Sequence, residues 1–378
     1  MFYYHPERIL IDKAVSEEPL TRQICSRFPN VPTYEVKNYD WRKESSVNDP
    51  LKNPLSQGKK TLHLKYFQGT SIKACPGFSD NLVCCNYFTL DLIENCPFEC
   101  TYCILQAFLN KPVITVHANL EDMLEQVLQR TSLQPETLFR IGTGEHSDSL
   151  ALDKTFGINQ HVIKFFATLP NALLELKTKS NHVEHLLELP HGGKTVISWS
   201  VNPQAIIKKE ELKTATLDER LKAAKMASDA GYKVAFHFDP MIDYPDWEKG
   251  YQGLVEQIID NISPERIAWV SLGTLRYISS LKSIVDERFP NSRVFLGEFV
   301  PGIDGKMRYL KKIRQRLYRN VQQKIQKLAP DVPTYLCMES SHLWKNSMSN
   351  QPETAPEMEG ILLRSLEKRY PKEAQCLM

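Results

Sequence analysis

Asn95-Cys96-Pro97-Phe98-Glu99-Cys100-Thr101-Tyr102-Cys103 puts three cysteines at i, i+4 and i+7. An alternating run, Asn86 to Ile93, precedes the loop, and a helix-like run, Ile104 to Asn110, follows it. Three thiolates this close in sequence can surround one centre without a long loop closure. Three protein ligands also leave one coordination position open, the arrangement that separates reactive metal sites from structural ones. Soft thiolates select zinc or an iron–sulfur cluster. In a cubane held this way one iron lacks a protein ligand. A zinc knuckle or three buried thiols is the simpler alternative for the same spacing.

With an aromatic, Tyr102, directly before its last cysteine, the CxxxCxxC loop resembles the cluster loop of the radical S-adenosylmethionine (SAM) superfamily. The resemblance implies a [4Fe–4S] cluster on Cys96, Cys100 and Cys103. It also implies SAM on the open iron, Tyr102 near the adenine, and an electron donor such as a flavodoxin or ferredoxin.

The chain must supply a scaffold for that loop. Its 378 residues can bury a large core, and 42% apolar with 24% charged residues is ordinary for a soluble globular protein. No apolar run approaches the ~18 residues of a membrane span. Met1 to Pro6 lacks the basic-then-apolar order of a signal peptide. The expected location is the cytoplasm, where nine unevenly spaced cysteines read as metal ligands and free thiols rather than disulfides. A net charge of +2 leaves any nucleic-acid argument to local charge.

Three units are expected. Residues 1–80 form an accessory α/β unit and linker, with strands at Arg8–Ile11 and Thr33–Val36, a helix at Leu20–Phe28, and a polar loop from Asn38 to Lys60. Residues 81–300 alternate strand and helix. Strands are expected at Tyr87–Ile93, Thr137–Ile141, Ala172–Thr178, Thr195–Val201, Val234–Phe238 and Ile267–Leu272. Helices are expected at Leu120–Gln129, Gln160–Ala167, Val183–Leu189, Leu217–Ala230 and Gly250–Ile259. Six such repeats predict an α/β fold, a parallel sheet rolled into a partial (β/α)6 barrel. Residues 301–378 form a C-terminal extension.

Chemistry in such folds gathers at the carboxyl ends of the strands, where SAM would lie. The second strand is followed by Gly142-Thr143-Gly144-Glu145-His146-Ser147-Asp148. Gly144 permits close backbone approach, and Glu145 or Asp148 would accept from the SAM ammonium. An ordinary turn capped by Ser147 or Asp148 is the alternative. Lys179, Ser200, Asn202 and Asp239 stand at the later strand ends. Cys75, Cys84 and Cys85 fall within eleven residues just before the cluster loop. With Cys337 they would supply an auxiliary metal site, although buried or reactive thiols account for them as well.

Most of the chain resembles the spore photoproduct lyase family. The likeness is carried by the cysteine loop, by Ser147-Asp148 with Leu152-Asp153, and by Thr178-Lys179 with Val183-Glu184-His185-Leu186-Leu187. It continues in Ser200-Val201-Asn202, Leu217-Asp218, Ala230-Gly231-Tyr232, Pro240 and Trp247-Glu248-Lys249-Gly250-Tyr251. It implies radical repair of a pyrimidine lesion in DNA, with Ser147, Asp148, Lys179 and Ser200 in the SAM pocket. Two departures stand out. Glu145 occupies the position of the family's hydrogen-donor cysteine, and Ile104 replaces a tyrosine. A carboxyl O–H is too strong to quench a carbon radical, so hydrogen return must run elsewhere, Cys337 being the candidate. Gly142-Thr143-Gly144-Glu145 instead resembles the Gly-Gly-Glu element by which many radical SAM enzymes hold the SAM amine.

From Lys306 to Lys327 there are nine Lys or Arg and no acid. Apolar residues recur at three- and four-residue spacing, so the segment is an amphipathic helix with a basic face. Arg308, Tyr309, Lys311 and Lys312 are expected nucleic-acid contacts, DNA or another nucleic acid. A solvated face balanced by acids elsewhere is the plainer reading. The competing functions are radical SAM modification of another nucleic acid, a peptide or a small molecule, and a metal-stabilised nucleic-acid-binding protein without catalysis.

Overall fold

The computed structural model describes residues 3–43, 54–79, 82–109 and 111–369. The expected boundary at 80/81 and part of the Asn38–Lys60 loop lie outside them.

β1 (Arg8–Asp12), β2 (Thr33–Val36) and β3 (Thr61–Lys65) pair in parallel in the order β2-β1-β3. The larger sheet begins with β4 (Ile72–Ala74) and β5 (Tyr87–Leu90). Sequence reasoning ran β5 on to Ile93, but Asp91 and Leu92 break it. Ile93–Glu94 is a separate strand, β6, which crosses to the small sheet and pairs with β8 (Ile114–His117), the neighbour of β3. Between them, β7 (Glu99–Cys100) carries the middle cluster cysteine.

The larger sheet continues through β9 (Phe139–Gly142), β10 (Ala172–Thr178) and β11 (Thr195–Ser200). β12 (Glu211–Leu212) leaves it to pair antiparallel with β7, and β13 (Lys233–Met241) and β14 (Ile267–Thr274) resume it. β15 (Arg276–Tyr277), β16 (Phe299–Pro301) and β17 (Met307–Tyr309) form a small antiparallel sheet, and β18 (Thr334–Leu336) returns to the large one. Its order is β18-β14-β13-β11-β10-β9-β5-β4. All neighbours are parallel except β4, which is antiparallel to β5. The Val83 N–H donates to the Glu339 carbonyl at 2.9 Å, linking the segment before β5 to the one after β18. The sheet therefore curls into the expected partial barrel.

Helices at Leu120–Ser132, Asn159–Ala167, Leu217–Asp229 and Trp247–Asn261 lie where the 3.6-residue period places them. Thr216 and Glu219 close a capping box at the start of the third. The helix expected at Val183–Leu189 is only a 3-10 turn, Glu184–Leu186. Val183 and Leu186, in the connection from β10 to β11, are fully buried in the core.

Strands covered on both faces read as nearly continuous apolar runs. β10, Ala-Leu-Leu-Glu-Leu-Lys-Thr, departs from this at Glu175 and Lys177, two residues apart and so on one face. Fully buried Glu175 accepts from Ser198 Oγ at 2.6 Å and pairs with His237 Nε2 at 2.7 Å and Arg140 Nε at 3.3 Å. Arg140 also donates to Tyr335 Oη at 2.9 Å. This network ties β9, β10, β11, β13 and β18 together through the barrel interior.

Burial pushes the Glu175 carboxyl up, but Arg140 and His237 beside it outweigh that and hold it well below the usual range. A depressed carboxylate stabilises the fold fully above its ordinary pKa of about 4.3. That contribution is lost as the pH falls from there through the folded-state value. Melting temperature followed from pH 6 down to about 3 should therefore drop more steeply in the wild type than in Glu175→Gln. Parallel curves would remove Glu175 as an acid-labile tie.

Candidate active site

Cys96, Cys100 and Cys103 line one cavity, together with Lys59, Asn95, Phe98, Gln106 and Lys111. The loop is fastened from several sides. Asn95, at φ 72°, accepts from the Cys96 N–H at 2.9 Å and donates to the Pro112 carbonyl at 2.7 Å. Gln106 donates to the carbonyls of Cys100 and Thr101 at 3.1 and 2.9 Å. The Thr101 hydroxyl donates to Glu210 at 2.6 Å. Buried charges clamp the rear, where Glu99 pairs with Arg288 at 2.7 Å and Lys59 at 3.2 Å. Burial pushes all three thiols up, Cys96 to about 12.

Among the described residues no three His, Cys, Asp or Glu side chains are gathered as ligands of a single metal ion. Cubane ligands bind three different irons and stand farther apart than the ligands of one ion. Three buried or half-buried thiols on a shared cavity therefore fit a cluster by donor type.

Tyr102 donates to Glu211, which sequence reasoning missed. Its Lys-Lys-Glu-Glu run looks like a solvated helix end. Pairing of β12 with β7 instead sets Glu211 opposite Cys100 and buries it. Glu211 pairs with Arg220 at 2.6 Å, both side chains 0% exposed. It also accepts from Asn202 at 2.9 Å, and Asn202 accepts from Tyr251 Oη at 2.9 Å. Burial raises the Glu211 carboxyl, yet Arg220 and Lys179 prevail and hold it at about 2. The Lys179 ammonium stands 6.0 Å from the Tyr102 ring centre. Tyr102, Lys179 and Asn202 thus belong to one constellation, and the Ser200 carbonyl joins it by accepting from Arg220 at 2.8 Å.

Asp148 fastens the loop after β9 to the end of β10. Oδ1 accepts from Thr178 Oγ1 and the amides of Leu150 and Ala151, and Oδ2 accepts from the Lys179 amide at 2.6 Å. Buried Ser147 Oγ has no hydrogen-bond partner and lines a small cavity with Asp148. Gly142 and Gly144 are required by packing. A Cβ on Gly142 would fall 1.5 Å from Tyr87 Oη, and one on Gly144 would fall 2.7 Å from Lys177 Cβ. Gly142→Ala is expected to cost about 1–3 kcal/mol by overpacking, read from urea denaturation.

Glu145 raises the Cys75 thiol and Lys177 lowers it, after burial, which raises it most. Asp239 pairs with Arg276 at 2.8 Å, and Arg276 donates to Cys337 Sγ at 3.4 Å. Arg140 donates to Cys85 Sγ at 3.4 Å, and the Gly77 amide donates to Cys75 Sγ at 3.4 Å. The neighbouring Cys84 thiol lowers the Cys85 thiol most, and Arg140 lowers it further against burial, both cysteines being free. Cys75, Cys84, Cys85 and Cys337 are thus close enough to perturb one another. Cys75, Cys85 and Cys337 each already accept a hydrogen bond from the protein, and no metal-holding group is present among the described residues. The expected auxiliary metal finds no support here.

Arg308 and Tyr309 are 4% and 2% exposed. Arg308 pairs with Asp304 at 2.6 Å and donates to the Met338 carbonyl, while Tyr309 stacks on Phe299. Folding of the β16–β17 hairpin takes both inside, away from any nucleic acid. In the helix Lys311–Leu328, Arg314, Arg316 and Lys324 pair with Glu339, Glu248 and Glu256. Lys311 and Lys312 stay exposed.

The family model of spore photoproduct lyase matches residues 4–334. The chain belongs to the spore photoproduct lyase family. Among curated members, the spore photoproduct lyase of Geobacillus sp. is 29% identical over 214 residues, 56% of this chain and 63% of that protein. The Bacillus subtilis spore photoproduct lyase is 27% identical over 304 residues, 78% of this chain and 85% of that protein. A solved structure, spore photoproduct lyase complexed with dinucleoside spore photoproduct, superposes with a TM-score of 0.78 at 23% identity. That match covers 88% of this chain and 98% of the other. The family's fold is therefore this chain's fold. No helix among the described residues is long and apolar enough to cross a membrane.

Proposed function

We propose that this member of the spore photoproduct lyase family is a radical SAM enzyme acting on a pyrimidine photoproduct in DNA. One observation carries the reading: three thiols line a single cavity inside a chain whose family match spans residues 4–334. When bound at Cys96, Cys100 and Cys103, a [4Fe–4S] cluster supplies the electron that splits SAM into methionine and a 5′-deoxyadenosyl radical.

The chain's own residues orient and shield. Tyr102, held by Glu211, offers its ring to the adenine. Ser147 Oγ, buried without a partner, takes a polar group of SAM. Gly144 and Glu145 hold the amine, with Lys179, Ser200, Asn202 and Asp239 as further contacts. Burial keeps Cys337 protonated, the form from which a hydrogen atom can return to a product radical. Exposed Lys311 and Lys312 meet backbone phosphates, and a flavodoxin or ferredoxin is the fitting reductant. Residues 1–80, 81–300 and 301–378 supply most of the accessory unit, the barrel and the extension, with β6 and β8 lent to the small sheet and β4 and β18 to the large one.

The test is anaerobic reconstitution with iron and sulfide. With dithionite, SAM should yield 5′-deoxyadenosine, and oligonucleotides carrying the spore photoproduct should yield thymine. A colourless zinc protein without SAM cleavage would overturn the whole reading. SAM cleavage without thymine recovery would move the same chemistry to another substrate.

A further inference from the structure

We propose, on the reading of the Cys96–Cys103 loop as a cluster site, that the cations around Glu99 set the reduction potential of the group held there, Lys59 foremost. Four charged side chains meet beside the thiols from four separate parts of the chain. Glu99 lies on β7, Arg288 ends the helix Ser279–Arg288, Lys59 follows the helix Pro54–Gly58, and Lys213 follows β12. One carboxylate serves all three cations, Arg288 at 2.7 Å, Lys59 at 3.2 Å and Lys213 at 3.8 Å. The Glu99, Arg288 and Lys59 side chains are 7%, 5% and 14% exposed, whereas Lys213 is half in water. Burial pushes the Glu99 carboxyl up, but Lys59, Arg288 and Lys213 outweigh it and keep it ionised.

Three cations and one carboxylate leave two positive charges over. The thiol cavity shows the same excess, since Lys59, Lys111 and Arg288 line it against Glu99 alone. Glu94 offsets Lys111 only from 4.0 Å. Glu210, the other buried acid at the loop, accepts from the Thr101 and Ser292 hydroxyls at 2.6 and 2.7 Å and meets no cation within 4.0 Å among the described residues. A clamp on the loop needs one cation for one carboxylate, and buried charge persists where it is paired. Thiolates in the cavity supply the missing negative charge. Lys59 is anchored to the cysteine loop itself, where its ammonium donates to the Phe98 carbonyl at 2.6 Å. Burial raises the Cys96 and Cys103 thiols most, and Lys59 opposes it at both.

Reduction carries one electron into this cavity, from dithionite or from a flavodoxin or ferredoxin, with no bond made or broken. The group there becomes one unit more negative. Net charge is one of the factors that set an iron–sulfur potential, and charges act more strongly away from water. Lys59 and Arg288 therefore favour the reduced form and raise the potential, while Glu99 lowers it.

The test is a redox titration of the reconstituted full chain, followed by electron paramagnetic resonance, with iron counted per chain. In Lys59→Met the reduction equilibrium should weaken at least ~10-fold, a shift of about 59 mV to lower potential. Glu99→Gln keeps the shape and removes the acid, and should shift the potential the other way. Lys59→Arg should restore the wild-type value. Lys213→Met should weaken reduction about threefold at low salt and not at high salt, as befits a half-exposed charge. Should a buried variant lose its iron, this half-exposed one decides. A change below about twofold in every loaded variant, or shifts of one sign in Lys59→Met and Glu99→Gln, would overturn the redox role and leave the cations as a clamp. A wild-type chain that takes up no iron would overturn the cluster reading, and this proposal with it.

Discussion

Cys100→Ala is expected to abolish SAM cleavage, lowering 5′-deoxyadenosine formation at least ~1,000-fold, which corresponds to about 4 kcal/mol of barrier. The thiol is the middle member of the trio facing the cavity, and its backbone is pinned by pairing of β7 with β12. The substitution therefore removes a ligand while the loop keeps its ladder. Two remaining thiols leave a cubane doubly under-ligated, so iron per chain should fall together with activity. Cys25→Ala is the matched control. Cys25 lies on the helix Pro19–Ser26, half-buried and apart from the cavity, and its loss should leave both readings unchanged. Activity within tenfold of wild type in Cys100→Ala would show that the loop does not hold the cluster.

Glu211→Ala should cost about 3–5 kcal/mol of stability, the range for breaking a buried ion pair from one side. The Arg220 guanidinium is fully buried against Glu211, and its other bonds, to the Ser200 and Ala215 carbonyls and Thr214, leave its charge uncompensated. Tyr102 and Asn202 lose their acceptor in the same step. Removing both charges with Glu211→Leu/Arg220→Met should recover much of the loss, since apolar replacement of a buried pair is often neutral. Urea denaturation of the two variants reads this directly. A single-variant loss below about 1 kcal/mol would place the pair in water rather than in the core.

The barrel was legible because strand and helix periods differ and each βα repeat shows both. The reading failed where a tertiary partner was decisive. β5 and β6 look like one strand, but Asp91 and Leu92 break the run and β8 captures Ile93–Glu94 for the other sheet. The run Arg308-Tyr309 beside lysines looks like a nucleic-acid contact, yet Asp304 and Phe299 draw both side chains inside.

By itself the sequence determined the thiol spacing, and with it the donor chemistry, because ligand spacing within nine residues is a covalent property. It also determined the alternation that makes a parallel sheet. Which charges are used up and which are left over was decided only by tertiary structure. Tyr102 and Glu211, His63 and Thr115, and Cys85 and Arg140 are each brought together from distant parts of the chain. A carboxylate or imidazole acquires its role from the low-dielectric neighbours it meets on folding, and no window of sequence contains them.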